Sequence, residues 1–232
     1  MVRHAQASFG GPDYDRLSDL GREQAQRLGA HWADRGMVFD HVFVGPRHRH
    51  QRTAEIVGGV LSGRGLPWPA TVQLPELDEY AGLDVFRMGL PMLTAKDPTM
   101  LEKAARGRQL GAAAPLELLS LFQHVVERWV RGELVVPGVE TWKEFRARAR
   151  RGLQTMVQAG AGGRQLAAFT STGPVAAAMD LAFDLDDERF MELSWQVRNT
   201  AVSEFLFSPP RFSLSVFNAL AHLPTGELAT RI

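Results

Sequence analysis

The sequence predicts an α/β fold: three layers, with a mostly parallel central sheet between helices and a helical insertion that caps the sheet. Two observations predict it. Short apolar runs ended by turn residues, among them His41–Val44 and Leu166–Phe169, alternate with stretches that repeat apolar residues at helical spacing. The chain is also long enough, at 232 residues with 45% hydrophobic and 22% charged, to bury a large core around such a sheet. Residues 1–232 read as a single domain, with the insertion at about residues 83–138.

Each element has its own signal. Only Met1 and Val2 precede Arg3, so the first strand is either short and unusually supported or begins from a start placed too late. Ser18 is the N-cap of a first helix whose Ala25, Leu28 and Trp32 share one face, and Gly36 stops it. His41–Val44 is a buried strand ended by Gly45-Pro46, and a second helix runs from about Arg49 to Val57. Thr71–Leu74 is a strand closed by Pro75. A polar, alanine-rich segment from Thr94 to Ala114 precedes an amphipathic helix from Leu116 to Arg131, with Leu118, Leu121, Val125 and Trp129 as its core stripe. Thr141 and Glu144 form a capping box for a helix reaching Val157, with Phe145, Ala149, Leu153 and Met156 facing inward. A strand at Gln165–Phe169 then runs through Thr170-Ser171-Thr172-Gly173-Pro174 into an alanine-rich helix. Val202–Phe207 and Phe212–Phe217, separated by Pro209-Pro210, form a hairpin at the sheet edge.

Composition excludes several classes of function. Twenty-six basic residues balance twenty-six acidic ones, which argues against a dedicated nucleic-acid surface. The absence of cysteine removes thiol nucleophiles, disulfide scaffolds and zinc–thiolate sites. No apolar run is long enough to span a membrane, and no charged leader with an apolar stretch opens the chain, so the cytoplasm is the default compartment. His48 and His50 make a His-x-His pair, but no companion ligands point to a metal, and no cofactor is expected. With Arg47 they read as a solvated helix start. Arg52 reads as a surface pair partner on its helix, and His222 as a structural, hydrogen-bonding histidine. Oligomeric state has no signal.

In an open α/β sheet, ligands bind beyond the carboxyl ends of the strands. The four strand exits here carry, in turn, Arg3-His4, the run from Gly45 to Arg52, Glu76-Leu77-Asp78-Glu79, and Thr170 to Gly173. Arginine forks match phosphate oxygens in pairs, and a glycine turn entering a helix offers backbone amides. The set reads as an anion pocket, and phosphate is its most economical ligand.

The sequence resembles the histidine phosphatase superfamily, the phosphoglycerate mutase-like proteins. Val2-Arg3-His4-Ala5-Gln6, the Leu17-x-x-x-Gly21-x-x-Gln24-Ala25 helix, Arg49 with Thr53-Ala54-Glu55, the Leu77-Asp78-Glu79 turn and the strand–turn–helix at Thr170–Val175 carry the resemblance over nearly the whole chain. It implies that His4 is the nucleophile that becomes phosphohistidine. It implies that Arg3 and Arg49 clamp the phosphate, with Ser171 and Thr172 beside them, and that Glu79 is the general acid, its carboxyl raised in pKa by apolar neighbours. Four positions depart from the family pattern: Ala5 replaces a glycine, Gly10 falls where an asparagine contacts phosphate, Gly45 replaces a serine, and Ser171 replaces the second catalytic histidine. The last removes a charged donor from the transferring phosphoryl group, worth roughly 10²–10³ in rate.

The expected function is a metal-independent phosphomonoesterase working through phosphohistidine on a small phosphorylated molecule and weakened at position 171, with mutase activity the lesser expectation. The alternative is a catalytically impaired pseudo-phosphatase that binds a phosphorylated ligand, free phosphate or a protein partner.

Overall fold

A computed structural model of the protein describes residues 1–8, 15–95, 115–208, 211–223 and 228–230. In chain order its elements are β1 (Val2–Arg3), α1 (Asp19–Asp34), β2 (His41–Val44), α2 (His48–Gly63), β3 (Thr71–Gln73), a 3-10 turn (Pro75–Leu77), α3 (Gly82–Thr94), α4 (Pro115–Val130), α5 (Trp142–Ala159), β4 (Leu166–Thr170), α6 (Thr172–Phe183), α7 (Asp187–Gln196), β5 (Val202–Ser208) and β6 (Arg211–Ala219). Most of the polar segment expected at Thr94–Ala114, together with Gly10 and the Pro209-Pro210 turn, lies outside the described residues.

The six strands form one sheet in the order β3-β2-β4-β1-β5-β6. Pairings from β3 through β1 are parallel, and β5 and β6 add antiparallel partners at one side. This is the mixed, mostly parallel α/β fold the sequence predicts, with the expected hairpin at the edge. The central strands are apolar on both faces, as strands covered by helices on each side must be. Val42, Val44, Ala167 and Phe169 belong to one core with Leu28 and Trp32 of α1 and Val57 and Leu61 of α2. Phe43 and Ala168 join Leu77 and Met156 in a second core. β1 has two residues, yet it is central: Val2 pairs with Phe169 of β4 and with Val202 of β5, and Arg3 with Thr170.

Helix ends follow their local chemistry. The Ser18 hydroxyl accepts from the Gly21 amide at 3.0 Å to open α1, and Gly36 takes φ 61° just beyond the end of the helix. α2 has no side-chain cap of its own at Arg47, and Asp15 supplies one from outside, accepting from the amides of His48 at 2.8 Å and Arg49 at 3.5 Å. The helices α1 and α2 pack closely at Gly29, where a Cβ would stand 2.8 Å from Val60 Cβ.

The chain divides into two compact units, Met1–Glu79 with Arg148–Ile232, and Tyr80–Ala147. In the second unit Tyr80, Trp129, Trp142 and Phe145 form an aromatic cluster with ring centroids 5.3–6.2 Å apart. The Thr141–Glu144 capping box forms: the Thr141 amide donates to Glu144 at 2.7 Å, and the Glu144 amide to the threonine hydroxyl at 3.3 Å. Leu121, Val125 and Trp129 of α4 are buried as expected, but Leu118 is 51% exposed and is not part of that stripe. Among the described residues no helix is long and apolar enough to cross a membrane.

Gly21 is required by close approach. A Cβ there would meet the Gln6 carbonyl oxygen at 2.1 Å, whereas one at exposed Gly59 meets nothing within 4 Å. Gly21→Ala is expected to cost about 1–3 kcal/mol through overpacking, and Gly59→Ala to gain about 0.5–1 kcal/mol through helix propensity. Thermal midpoints of the two variants against wild type check both signs.

Candidate active site

Parallel β1, β2 and β4 end on the same side of the sheet, so His4, the Gly45-Pro46 turn and Ser171 arrive together. The backbone around His4 is fixed from every direction. Its amide donates to Thr170 O at 2.8 Å, and its carbonyl accepts from Asn199 Nδ2 at 3.1 Å. The Thr200 amide donates to Arg3 O at 3.0 Å, from a left-handed backbone of φ 56°. The Ala5 amide donates to Thr53 Oγ1 at 3.1 Å, and the Gln6 amide to Gln24 Oε1 at 2.8 Å. The two helices whose motifs carry the family resemblance therefore each contribute one buried side chain that holds this turn.

His4 is 5% exposed. Its Nδ1 lies 2.8 Å from the Ala5 carbonyl, which can only accept, so Nδ1 carries the hydrogen and Nε2 keeps its lone pair. Arg49 Nε donates to that lone pair at 3.2 Å. Burial first, and then the charges of Arg49 and Arg3 and the neighbouring His50, hold the His4 pKa well below 6.5, so the ring is neutral at pH 7. Arg49 is itself buried, and its Nη1 donates to Asp15 at 2.9 Å. Arg3 donates from Nη1 to the Val197 carbonyl at 2.6 Å.

His50 corrects the reading of a solvated helix start. His48 is exposed and Arg47 reaches Asp78 at 2.6 Å, but His50 is fully buried. Its ring centroid is 5.6 Å from that of His4, its Nε2 is 2.7 Å from Ser171 Oγ, and its Nδ1 faces the Gly45 backbone. Burial, then Arg49 and Arg47, keep its pKa well below 6.5. The signal was present in the spacing: His50, Thr53, Ala54, Val57 and Leu61 lie at i, i+3, i+4, i+7 and i+11, which is the buried stripe of α2. Arg52 pairs with Glu55 on the exposed side at 2.9 Å, as expected. His222 likewise hydrogen-bonds Thr200 Oγ1 at 2.9 Å.

Glu79 is held by hydrogen-bond donors. Its carboxylate accepts from the Thr172 amide at 3.0 Å, the Thr172 hydroxyl at 2.9 Å and the Gly173 amide at 2.9 Å, capping the first turn of α6. The amide and hydroxyl of Thr172 thus face Glu79. The turn that carries Glu79 is laced by Arg148, whose Nη1 donates to the carbonyls of Glu76 at 3.0 Å and Asp78 at 3.1 Å. Sequence reasoning missed Asp15, Arg148 and the burial of His50. Apart from the stripe position of His50, these act through backbone groups or across long sequence separations, which leave no local pattern. Ser171 is 1% exposed, so His4, Arg49, His50 and Ser171 form one contiguous buried cluster, with Thr172 and Glu79 beside it.

Known proteins share this fold. The crystal structure of a phosphoglycerate mutase from Bacillus anthracis superposes with TM-score 0.63 at 18% identity, covering 95% of this chain and 92% of that one. A mycobacterial glucosyl-3-phosphoglycerate phosphatase gives 0.59 at 18%, covering 95% and 98%. A phosphoserine phosphatase from Entamoeba histolytica, solved with phosphoserine, gives 0.59 at 15%, covering 96% and 97%. At such identities the likeness is one of fold. A search of curated proteins finds no match. The sequence model of the histidine phosphatase superfamily (branch 1) matches residues 1–84 and 106–220. A match of that extent, with the two motif-bearing helices gripping the turn around His4, establishes that the chain belongs to the histidine phosphatase superfamily, branch 1.

Proposed function

We propose that the protein is a phosphomonoesterase of the cytoplasm that acts through a phosphohistidine on His4. The observation that carries this reading is the neutral His4 imidazole, its Nδ1–H tied to Ala5 and its Nε2 lone pair facing Arg49. On substrate entry the Arg49 fork leaves that lone pair for the phosphoryl oxygens, and Arg3 joins it. Two guanidiniums supply the charge stabilisation that phosphoryl transfer mainly needs, without a metal or cofactor in the scheme. Nε2 attacks phosphorus as the P–O bond to the leaving group breaks, and Glu79 gives its proton to the leaving oxygen. Water then attacks the phosphohistidine, its proton passing back to Glu79 as the N–P bond breaks. Ser171 supplies a further phosphate contact, while Thr172, whose amide and hydroxyl are taken up by Glu79, stands beside the phosphate rather than on it. Small phosphorylated molecules are the substrate class we favour, because the Entamoeba structures hold phosphoserine and 3-phosphoglyceric acid.

A second reading, a pseudo-phosphatase that binds a phosphorylated ligand or protein partner without turning it over, is favoured by one observation: position 171 carries an uncharged hydroxyl. Turnover of p-nitrophenyl phosphate separates the two. The enzyme reading expects hydrolysis that His4→Ala lowers by roughly 10³-fold or more and Arg49→Ala by about 10²–10³-fold. Equal rates for wild type and His4→Ala would sink it. Phosphate binding by calorimetry with no hydrolysis at all would favour the second reading.

The acid limb of kcat/KM is expected below pH 6.5, because His4 remains an unprotonated nucleophile well under that value. Stability moves the same way. His4, His50 and His222, the last pushed down to about 4 by burial, bind fewer protons folded than unfolded once the pH falls below 6.5. Their contribution is therefore fully present above that pH and is lost as the pH drops toward the folded values. Thermal midpoints across pH 7.5 to 4.5 should decline on the acid side, and more shallowly in His222→Gln.

A further inference from the structure

We propose that His50 is a positioning residue of the phosphoryl site: it holds the Ser171 hydroxyl so that the two together take the place of a single donor opposite His4. The inference rests on the phosphoryl-transfer reading given above. Three observations support it. The His50 ring lies 5.6 Å from that of His4, which puts it at the nucleophile and not merely in the core of α2. Its Nε2 is 2.7 Å from Ser171 Oγ, and both groups are almost wholly buried. The ring fits only because position 45 has no side chain, since a Cβ on Gly45 would stand 2.3 Å from His50 Nδ1 and 2.9 Å from Cε1.

Gly45, His50 and Ser171 come from the end of β2, the first turn of α2 and the end of β4, and they form one packed unit. Two departures from the family pattern, glycine at 45 and serine at 171, are then parts of one rearrangement. The glycine opens the space, the imidazole enters from α2, and the small hydroxyl at 171 leaves room for it and bonds to it. An apolar side chain at position 50 would fill that space without burying a polar ring beside Arg49 and Arg47, so packing alone gives no reason for histidine.

The chemistry needs no more than one hydrogen-bond direction. In the free site the Ser171 hydroxyl and His50 Nε2 share one hydrogen. With phosphate bound, the ring takes the form that carries hydrogen on Nε2, which donates to Ser171 Oγ and leaves the serine hydrogen for a phosphoryl oxygen. The ring polarises and orients the hydroxyl, and the hydroxyl makes the contact. Chains of such bonds strengthen one another where the surroundings are dry.

A histidine simply restored at position 171 should therefore fail. Ser171→His alone is expected to lower both activity and thermal midpoint, because His50 already fills the space. His50→Ala/Ser171→His is expected to recover the midpoint and to return kcat to within about tenfold of wild type. His50→Ala and Ser171→Ala are each expected to weaken inorganic phosphate binding by about tenfold and to lower kcat on p-nitrophenyl phosphate by about 10²-fold with little change in KM. The His50→Ala/Ser171→Ala pair should be no worse than either single change, since the two act as a unit. His50→Gln, whose amide nitrogen can still donate, should retain part of both readouts and serves if the alanine variant does not fold. Folded His50→Ala or His50→Gln with wild-type phosphate affinity and kcat, strictly multiplicative losses in the double alanine variant, or a gain of activity in Ser171→His alone would each overturn the assignment. A wild-type protein that neither binds inorganic phosphate nor hydrolyses the ester would instead remove the phosphoryl-transfer reading, and this inference with it.

Discussion

Thr53 Oγ1 accepts the Ala5 amide and itself donates to Arg49 O, at 3.1 and 2.6 Å. That one hydroxyl joins the turn carrying His4 to the helix turn carrying Arg49. The rest of the site depends on the coupling, because β1 is only two residues long and cannot by itself fix the turn beyond it. Gln24 repeats the device from α1 through Gln6, and is in turn held by Leu228 O and Thr230 Oγ1 at 2.8 and 2.9 Å. Asn199 and Thr200 complete it from the approach to β5. Each bond satisfies a buried backbone group, so loss of any partner leaves a polar atom stranded as well as a loop less well placed.

The electrostatics derive from this rigidity. Two imidazoles and the guanidinium of Arg49 share a small volume, which is tolerable only while the rings are neutral. Asp15 offsets part of the positive charge while capping α2, so the helix terminus and the Arg49 orientation are set by the same carboxylate. Under the phosphoryl-transfer reading proposed above, such a site would attract a dianion more strongly than any single contact suggests, because the positive charge is held in place and partly desolvated.

Much of the fold was legible in the sequence. Apolar runs at His41–Val44 and Leu166–Phe169 had to be central strands, since no alternation offered water a face. Ser18 and the Thr141–Glu144 pair announced helix starts by local hydrogen bonding, which sequence encodes directly. The positions of His4, Arg49 and Ser171 followed from strand order. Leu118 was misread because helical spacing gives a stripe but not where the stripe ends. The partners of Glu79 were not legible for another reason: a helix N-terminus ninety-odd residues away supplies them, and no local rule foresees such a pairing. His50 lay between these cases, since it holds a position on the buried stripe of α2 but sits in a dense basic cluster that has the character of a solvated helix start.

Glu79 has two occupations. As a cap it lends both oxygens to the first turn of α6, to two amides and a hydroxyl. As the proposed acid it must carry a hydrogen on one of those oxygens, and that oxygen then accepts more weakly than it does in a carboxylate. Each catalytic cycle would then loosen and retighten the start of a helix. A homologue under selection for heat tolerance would gain by tightening that clasp and lose turnover in the same substitution, so durability and speed in this scaffold compete for a single side chain.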